Sequence, residues 1–163
     1  MKRATRQRLW LLLGVAALLV LTGWQWHRDA VDAPGNLLTL APDAVSHVEL
    51  SIGTGAAMHY EKRDGHWWHT DGTPSLSDDG ALVELAAIAA APVLKWRPAS
   101  DFELAKIGLD PPRAVLRLDD QTLRFGEIAT IGPLRYVQVG QRVALVSLKY
   151  TPRSPATATV RAH

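Results

Sequence analysis

Met58-His59-Tyr60-Glu61-Lys62-Arg63-Asp64-Gly65-His66-Trp67-Trp68-His69-Thr70 decides the fold class. Two runs rich in aromatic and long side chains flank an Asp-Gly pair. Asp-Gly marks a two-residue type I′ turn, because both turn positions need positive φ. The turn fixes the register: Arg63 opposes His66, Glu61 opposes Trp68, Tyr60 opposes His69 and His59 opposes Thr70. Adjacent strand residues point to opposite faces, so one of Trp67 and Trp68 enters the core and the other stays outside. Trp68 is the candidate partner surface, because an exposed indole offers both apolar area and a donor.

Working outward, the neighbouring segments repeat this signal. Val45–Ile52 alternates, with Val48, Leu50 and Ile52 on one face and Glu49 and Ser51 on the other. Ala114–Leu118 and Thr122–Phe125 flank Asp119-Asp120-Gln121, and Leu134–Val139 and Arg142–Val146 flank Gly140-Gln141. A helix follows Asp78 and Asp79, whose carboxylates suit a positive helix start; Leu82, Leu85, Ala86 and Ala89 recur at helical spacing until Pro92. Ser100-Asp101-Phe102-Glu103 has the pattern of a capping box and predicts a second, short helix. Gly108 is placed to take a left-handed C′ position, Leu109 to pack back, and Asp110-Pro111-Pro112 to launch the next strand. Strands adjacent in sequence form hairpins rather than βαβ units. The expected fold is α+β, an antiparallel meander with two helices, over about residues 44–152.

The N-terminus reads differently. Leu9 to Trp26 carries no charge, and as a helix it would extend about 27 Å, close to one hydrocarbon core. Trp10 sits at one end and Trp24 and Trp26 at the other, as interfacial indoles do. Lys2, Arg3, Arg6 and Arg8 precede the run, which predicts a cytoplasmic tail over 1–8, a transmembrane anchor over 9–26 in contact with lipid, a linker over 27–43 and a periplasmic body. A cleaved signal peptide is the rival, but no small-x-small cleavage site follows the apolar core. Residues 153–163 are rich in Thr, Ala and Pro and read as a flexible tail.

Composition narrows the function. The 163 residues are 47% hydrophobic, too many for a wholly disordered chain. The chain has no cysteine, so disulfides, thiolate metal sites and cysteine nucleophiles are excluded. The net charge of +2 is local: without the four cations at the start, 14 basic residues face 16 acidic ones. A mildly acidic body argues against nucleic acid as a partner.

Several constellations resemble sites. His59, His66 and His69 crowd one hairpin, yet the register spaces His59 from His66 along the ribbon and turns His69 to the other face, so no metal is expected. Gly53-Thr54-Gly55 lacks the third glycine and the following helix of a dinucleotide loop. Asp78-Asp79 and Asp119-Asp120 sit where aspartate is favoured for backbone reasons. No catalytic motif or cofactor site is found, so the expectation is not an enzyme.

The order of these pieces carries a resemblance. Trp67-Trp68, a helix after Asp78-Asp79, Phe102-x-x-x-x-Ile107-Gly108-Leu109-Asp110-x-Pro112, Leu123-x-x-Gly126, Tyr136-Val137 and Val143-x-Leu145-Val146 together resemble the uncharacterised bacterial family called domain of unknown function 4340. The resemblance covers about residues 45–150. It implies a membrane-anchored, extracytoplasmic protein, an accessory of ABC-transporter or envelope complexes, with transporter subunits as partners and no catalytic residues to carry over. Its structural motif here is Gly108, Leu109, Asp110 and Pro112, after Ser100 and Glu103. The reading is a single-pass inner-membrane protein with a periplasmic interaction domain. Its alternatives are a periplasmic enzyme with a scattered site and a cleaved soluble periplasmic binding protein.

Overall fold

Apolar alternation becomes nine strands among the described residues, all in one antiparallel sheet: β1 (His47–Ile52), β2 (Met58–Arg63), β3 (His66–His69), β4 (Ser75–Leu76), β5 (Val93–Pro98), β6 (Ala114–Leu118), β7 (Gln121–Ile128), β8 (Leu134–Val139) and β9 (Arg142–Ser147). The structure is a computed structural model that describes residues 14–23 and 35–155. The strand order is β4-β3-β2-β1-β6-β7-β8-β9-β5. The chain thus builds four strands outward, crosses to the far edge for β5, and returns to lay β6 beside β1.

The β2–β3 hairpin has the register that Asp64-Gly65 dictates, with Tyr60 opposite His69, Glu61 opposite Trp68 and Arg63 opposite His66. Asp64 and Gly65 have φ of 52° and 82°. Both are positive, as the turn requires. Helix α1 (Asp79–Ala87) is capped by Asp78, whose carboxylate accepts from the Gly80 and Ala81 amides at 2.9 and 3.3 Å. It lays Leu82, Leu85 and Ala86 on the inner sheet face. There they meet Val48, Leu50, Tyr60, Trp67, Leu116, Leu118, Leu123, Phe125 and Val137 in the main core.

Three expectations are corrected in this unit. The stretch read as linker supplies Leu37 and Leu38 to the core, and their amides donate to the Ala91 and Ala89 carbonyls at 2.9 and 2.8 Å. The predicted second helix is one 3-10 turn, Ala99–Asp101, followed by irregular turns. Pro98 stands at its N-cap without a side-chain bond, so the Ser100–Glu103 capping box does not form, and Glu103 pairs with Lys106 at 2.8 Å instead. Proline ahead of the turn and the pull of buried side chains beyond it outweigh a capping pattern worth about 1 kcal/mol. Strands β4 and β5 are additions to the sequence reading.

The membrane reading is also corrected. The chain divides into two compact units, Met1–Ala33 and Pro34–His163. The described part of the first is a helix over residues 14–23, in which the Thr22 hydroxyl donates to the Leu18 carbonyl at 2.8 Å. Among the described residues no helix is long and apolar enough to cross a membrane. Trp10, Trp24 and Trp26, read as interfacial, lie outside the described residues, as does the basic tail over 1–8. With the span go the lipid contact through 9–26, the inner-membrane placement with a periplasmic body, and the transporter subunits inferred as partners.

Candidate functional site

Two concavities carry charged side chains. The first lies on the outer face of the sheet, about 410 Å³ in volume, where β1, β2 and β6 run side by side. Outward-pointing acidic residues alternate with histidine or arginine across the strands: His47 is opposite Glu61, and Glu49 is opposite both His59 and Arg117. Opposite charges placed directly across a pair stabilise a sheet modestly. Here they are mostly satisfied by one another. His47 Nδ1 lies 3.5 Å from Asp119, Arg117 lies 4.0 Å from Glu49, and Arg63 Nε donates to Glu61 at 3.0 Å.

The histidines of the hairpin are likewise tied to carboxylates. Asp71 bonds His59 Nδ1 at 2.8 Å, accepts from the His59 amide at 2.8 Å, and lies 3.3 Å from His69 Nε2. Asp79 bonds His66 Nδ1 at 2.7 Å and accepts from the Trp67 amide at 2.7 Å. These bonds have electrostatic consequences. The His59 amide above all holds the Asp71 carboxyl below the usual range; burial opposes it, and the His59 and His69 rings add to the lowering. The His66 ring and then the Trp67 amide do the same for Asp79. Arg63 lowers Glu61. Burial, with the Asp71 charge adding to it, pushes the Tyr60 phenol up.

His59 and Asp71 form a hydrogen-bonded pair with no nucleophile beside it among the described residues. His59 Nε2 faces Glu49 at 3.9 Å rather than a nucleophile, and the Thr70 hydroxyl donates to the His59 backbone carbonyl. A nucleophile needs its base within hydrogen-bond reach. Among the described residues no group of three or more histidines and carboxylates is arranged to hold a metal ion.

The second concavity is a cleft of about 550 Å³ between two walls. One wall is α1 with Ile88, presenting Asp78, Ala81, Glu84, Leu85 and Ala87. The other follows β9: Lys149, Tyr150, Thr151, Arg153 and Ser154. The second wall is held in place by a 3-10 turn over Leu148–Tyr150, in which Lys149 N donates to Ser147 Oγ at 3.4 Å, and by buried Pro152. Leu85 and Ile88 make an apolar floor, and Tyr150 gives an aromatic side. Among the described residues Glu84, Lys149 and Arg153 enter no ion pair. The volume falls in the range of small-molecule sites, roughly 300–1,000 Å³.

No family model matches the chain, and no curated protein or solved structure does. The resemblance to the domain of unknown function 4340 is therefore corrected. Its most specific piece, Gly108-Leu109-Asp110-x-Pro112, does local work that any sheet protein can require. Gly108 takes φ of 67°, Leu109 is fully buried, and Leu109 bridges to Pro112 in a tight turn. Such a motif reports turn geometry, which unrelated chains share.

The residues singled out from sequence do not converge. Trp67 is buried while Trp68 is half-buried on the outer face, opposite Glu61 and Leu76. Ser100, Glu103, Gly108, Leu109, Asp110 and Pro112 belong to a loop on another part of the sheet. Asp119 closes the β6–β7 turn and accepts from the Ser46 and His47 amides at 3.1 and 2.9 Å. The cleft was missed, since its second wall straddles the boundary drawn between body and tail. One signal was available: Tyr150 and Pro152 continue apolar character past the last strand, as a segment that returns to the body does.

Proposed function

We propose that the unit over residues 34–163 is a small-ligand-binding domain, with its ligand seated between α1 and the Lys149–Ser154 wall. One observation carries this reading: the cleft combines an apolar floor, an aromatic side and charged groups that enter no ion pair among the described residues. Binding sites are concave and mostly apolar, with a few polar groups that fix orientation. The outer sheet face is the weaker candidate, because its charges already pair across the strands. On this reading the protein holds a ligand and carries out no chemistry on it.

The test fills the cleft. Ala81 is half-buried on the α1 wall, so Ala81→Trp puts an indole into the cavity without removing core volume. Ligand-observed NMR against a fragment library should give hits with the parent protein that are lost in Ala81→Trp at unchanged melting temperature. Hits that persist in the filled variant, or none with either protein, would remove the cleft as the site.

A further inference from the structure

The charges that line the cleft are sorted by wall. Asp78 and Glu84 stand on the α1 wall, Lys149 and Arg153 on the other, and among the described residues no other charged one lines it. The net charge of the lining is zero, so a simple anion or cation gains from one wall what it loses to the other. The field runs across the cleft. A molecule with an ammonium at one end and a carboxylate at the other gains from both walls and is oriented by them.

The groups are available. Glu84, Lys149 and Arg153 are exposed and enter no ion pair among the described residues, and Asp78 uses one oxygen, Oδ1, to cap α1. The outer sheet face shows the contrary arrangement, with opposite signs alternating at pairing distance. Between the two charged rims lie Ala81, Leu85, Ala87, Ile88 and Tyr150, a surface that suits an apolar side chain in the middle of the ligand. A free amino acid carries both charges on one carbon and fills a small part of about 550 Å³. An extended tripeptide separates its termini by about 10 Å and places one side chain between them.

We infer that the ligand class is a short free peptide with an apolar central residue, its ammonium toward Asp78 and Glu84 and its carboxylate toward Lys149 and Arg153. This rests on the cleft being the ligand site. Calorimetric titration of the full chain with Ala-Leu-Ala, N-acetyl-Ala-Leu-Ala and Ala-Leu-Ala-amide tests it. The free peptide should bind, and each blocked form should bind about tenfold or more weakly. Glu84→Gln should weaken the free peptide while leaving the acetylated form unchanged; Lys149→Gln should do the same relative to the amide. Equal affinity for free and blocked peptides overturns the inference, as does the absence of binding at about 5 mM free peptide. If uncharged fragments still bind the parent protein but not Ala81→Trp, the cleft stands and the peptide class alone falls. If Ala81→Trp binds every probe as the parent does, the cleft itself falls.

Discussion

The outer face of the sheet has two halves that solve the same problem in opposite ways. Over β5, β8 and β9 the connection from β5 to β6 folds back as a cover. Its Ala99 and Leu109 are buried with Val143 of β9, and Phe102, Leu104, Ile107 and Tyr136 pack around them. Over β1, β2 and β6 nothing covers the strands among the described residues, and the outward positions carry His47, Glu49, His59, Glu61 and Arg117. Fully burying one leucine contributes about 1.5–3 kcal/mol, whereas an exposed ion pair contributes about 0–1 kcal/mol. Stability on the outer face is therefore concentrated in the cover, and the open half is free to vary.

The sharpest way to break this comparison is Leu109→Ala. Leu109 has no exposed surface and plugs the cover against β7 and β9. A cavity there should cost about 2–5 kcal/mol. Urea denaturation would register it as a lower midpoint at an unchanged slope; a loss below about 1 kcal/mol would show that the cover is loosely held.

Gly126→Ala comes next. The Ile107 carbonyl accepts from the Glu127 amide at 2.8 Å, which brings the cover onto β7 backbone to backbone. A Cβ on Gly126 would collide with the Ile107 carbonyl oxygen and stand 3.0 Å from Leu109 Cγ. The cover must lift, at about 1–3 kcal/mol. Gly108→Ala should cost about 1 kcal/mol or more, since φ is +67° and the new carbon meets Glu127 Cγ at 2.7 Å and the Glu127 backbone nitrogen at 3.0 Å. Equal melting temperatures for Gly126→Ala and the parent would mean that the loop does not lie on the strand.

How legible all this was depends on whether the determinants are local. The Asp64-Gly65 turn sets its own register, and the alternation of β1, β6, β8 and β9 survives in sequence because each strand has one buried face. Strand β5 hid because its ladder with β9 slips between Val93 and Lys95, which spaces the buried Val93 and Trp96 three apart and leaves Leu94 exposed. Leu37 and Leu38 looked like linker because their partners, Ala89 and Ala91, lie far along the chain. The cleft was least legible: Glu84 lines one cavity with Lys149 and Arg153 only through the segment that follows β9, and neither segment carries a motif.

A smaller effect separates the halves by pH. Asp71 is held below the usual carboxylate range by the His59 amide and the two rings. A depressed folded value contributes stability above the ordinary carboxylate pKa, and that contribution is lost as pH falls through the lowered value. The melting temperature should therefore decline below about pH 4, and Asp71→Asn should flatten that decline relative to the parent. Asp79 and Glu61 share the sign, so the difference between the two curves isolates Asp71. Parallel curves would show that the His59 clasp does not persist in solution. Leu109→Ala should shift the whole curve without changing its shape, because no titrating group is lost.

The smallest expected effect is the most demanding test of the open half. Arg117 is more than half exposed, approaches Glu49 at 4.0 Å, and donates from Nε to the Asp119 carbonyl at 3.1 Å. Water competes for each of these contacts, and holding the long side chain in place costs rotamer freedom. Arg117→Gln should change stability by no more than about 0.5 kcal/mol. A double-mutant cycle with Glu49→Gln should give a coupling below about 1 kcal/mol that shrinks with added salt. A coupling well above that, insensitive to salt, would mean the ladder of alternating charges acts as a rigid network. The contrast between a stabilising cover and a neutral open face would then fail at its weaker end, since the two halves would be contributing comparably.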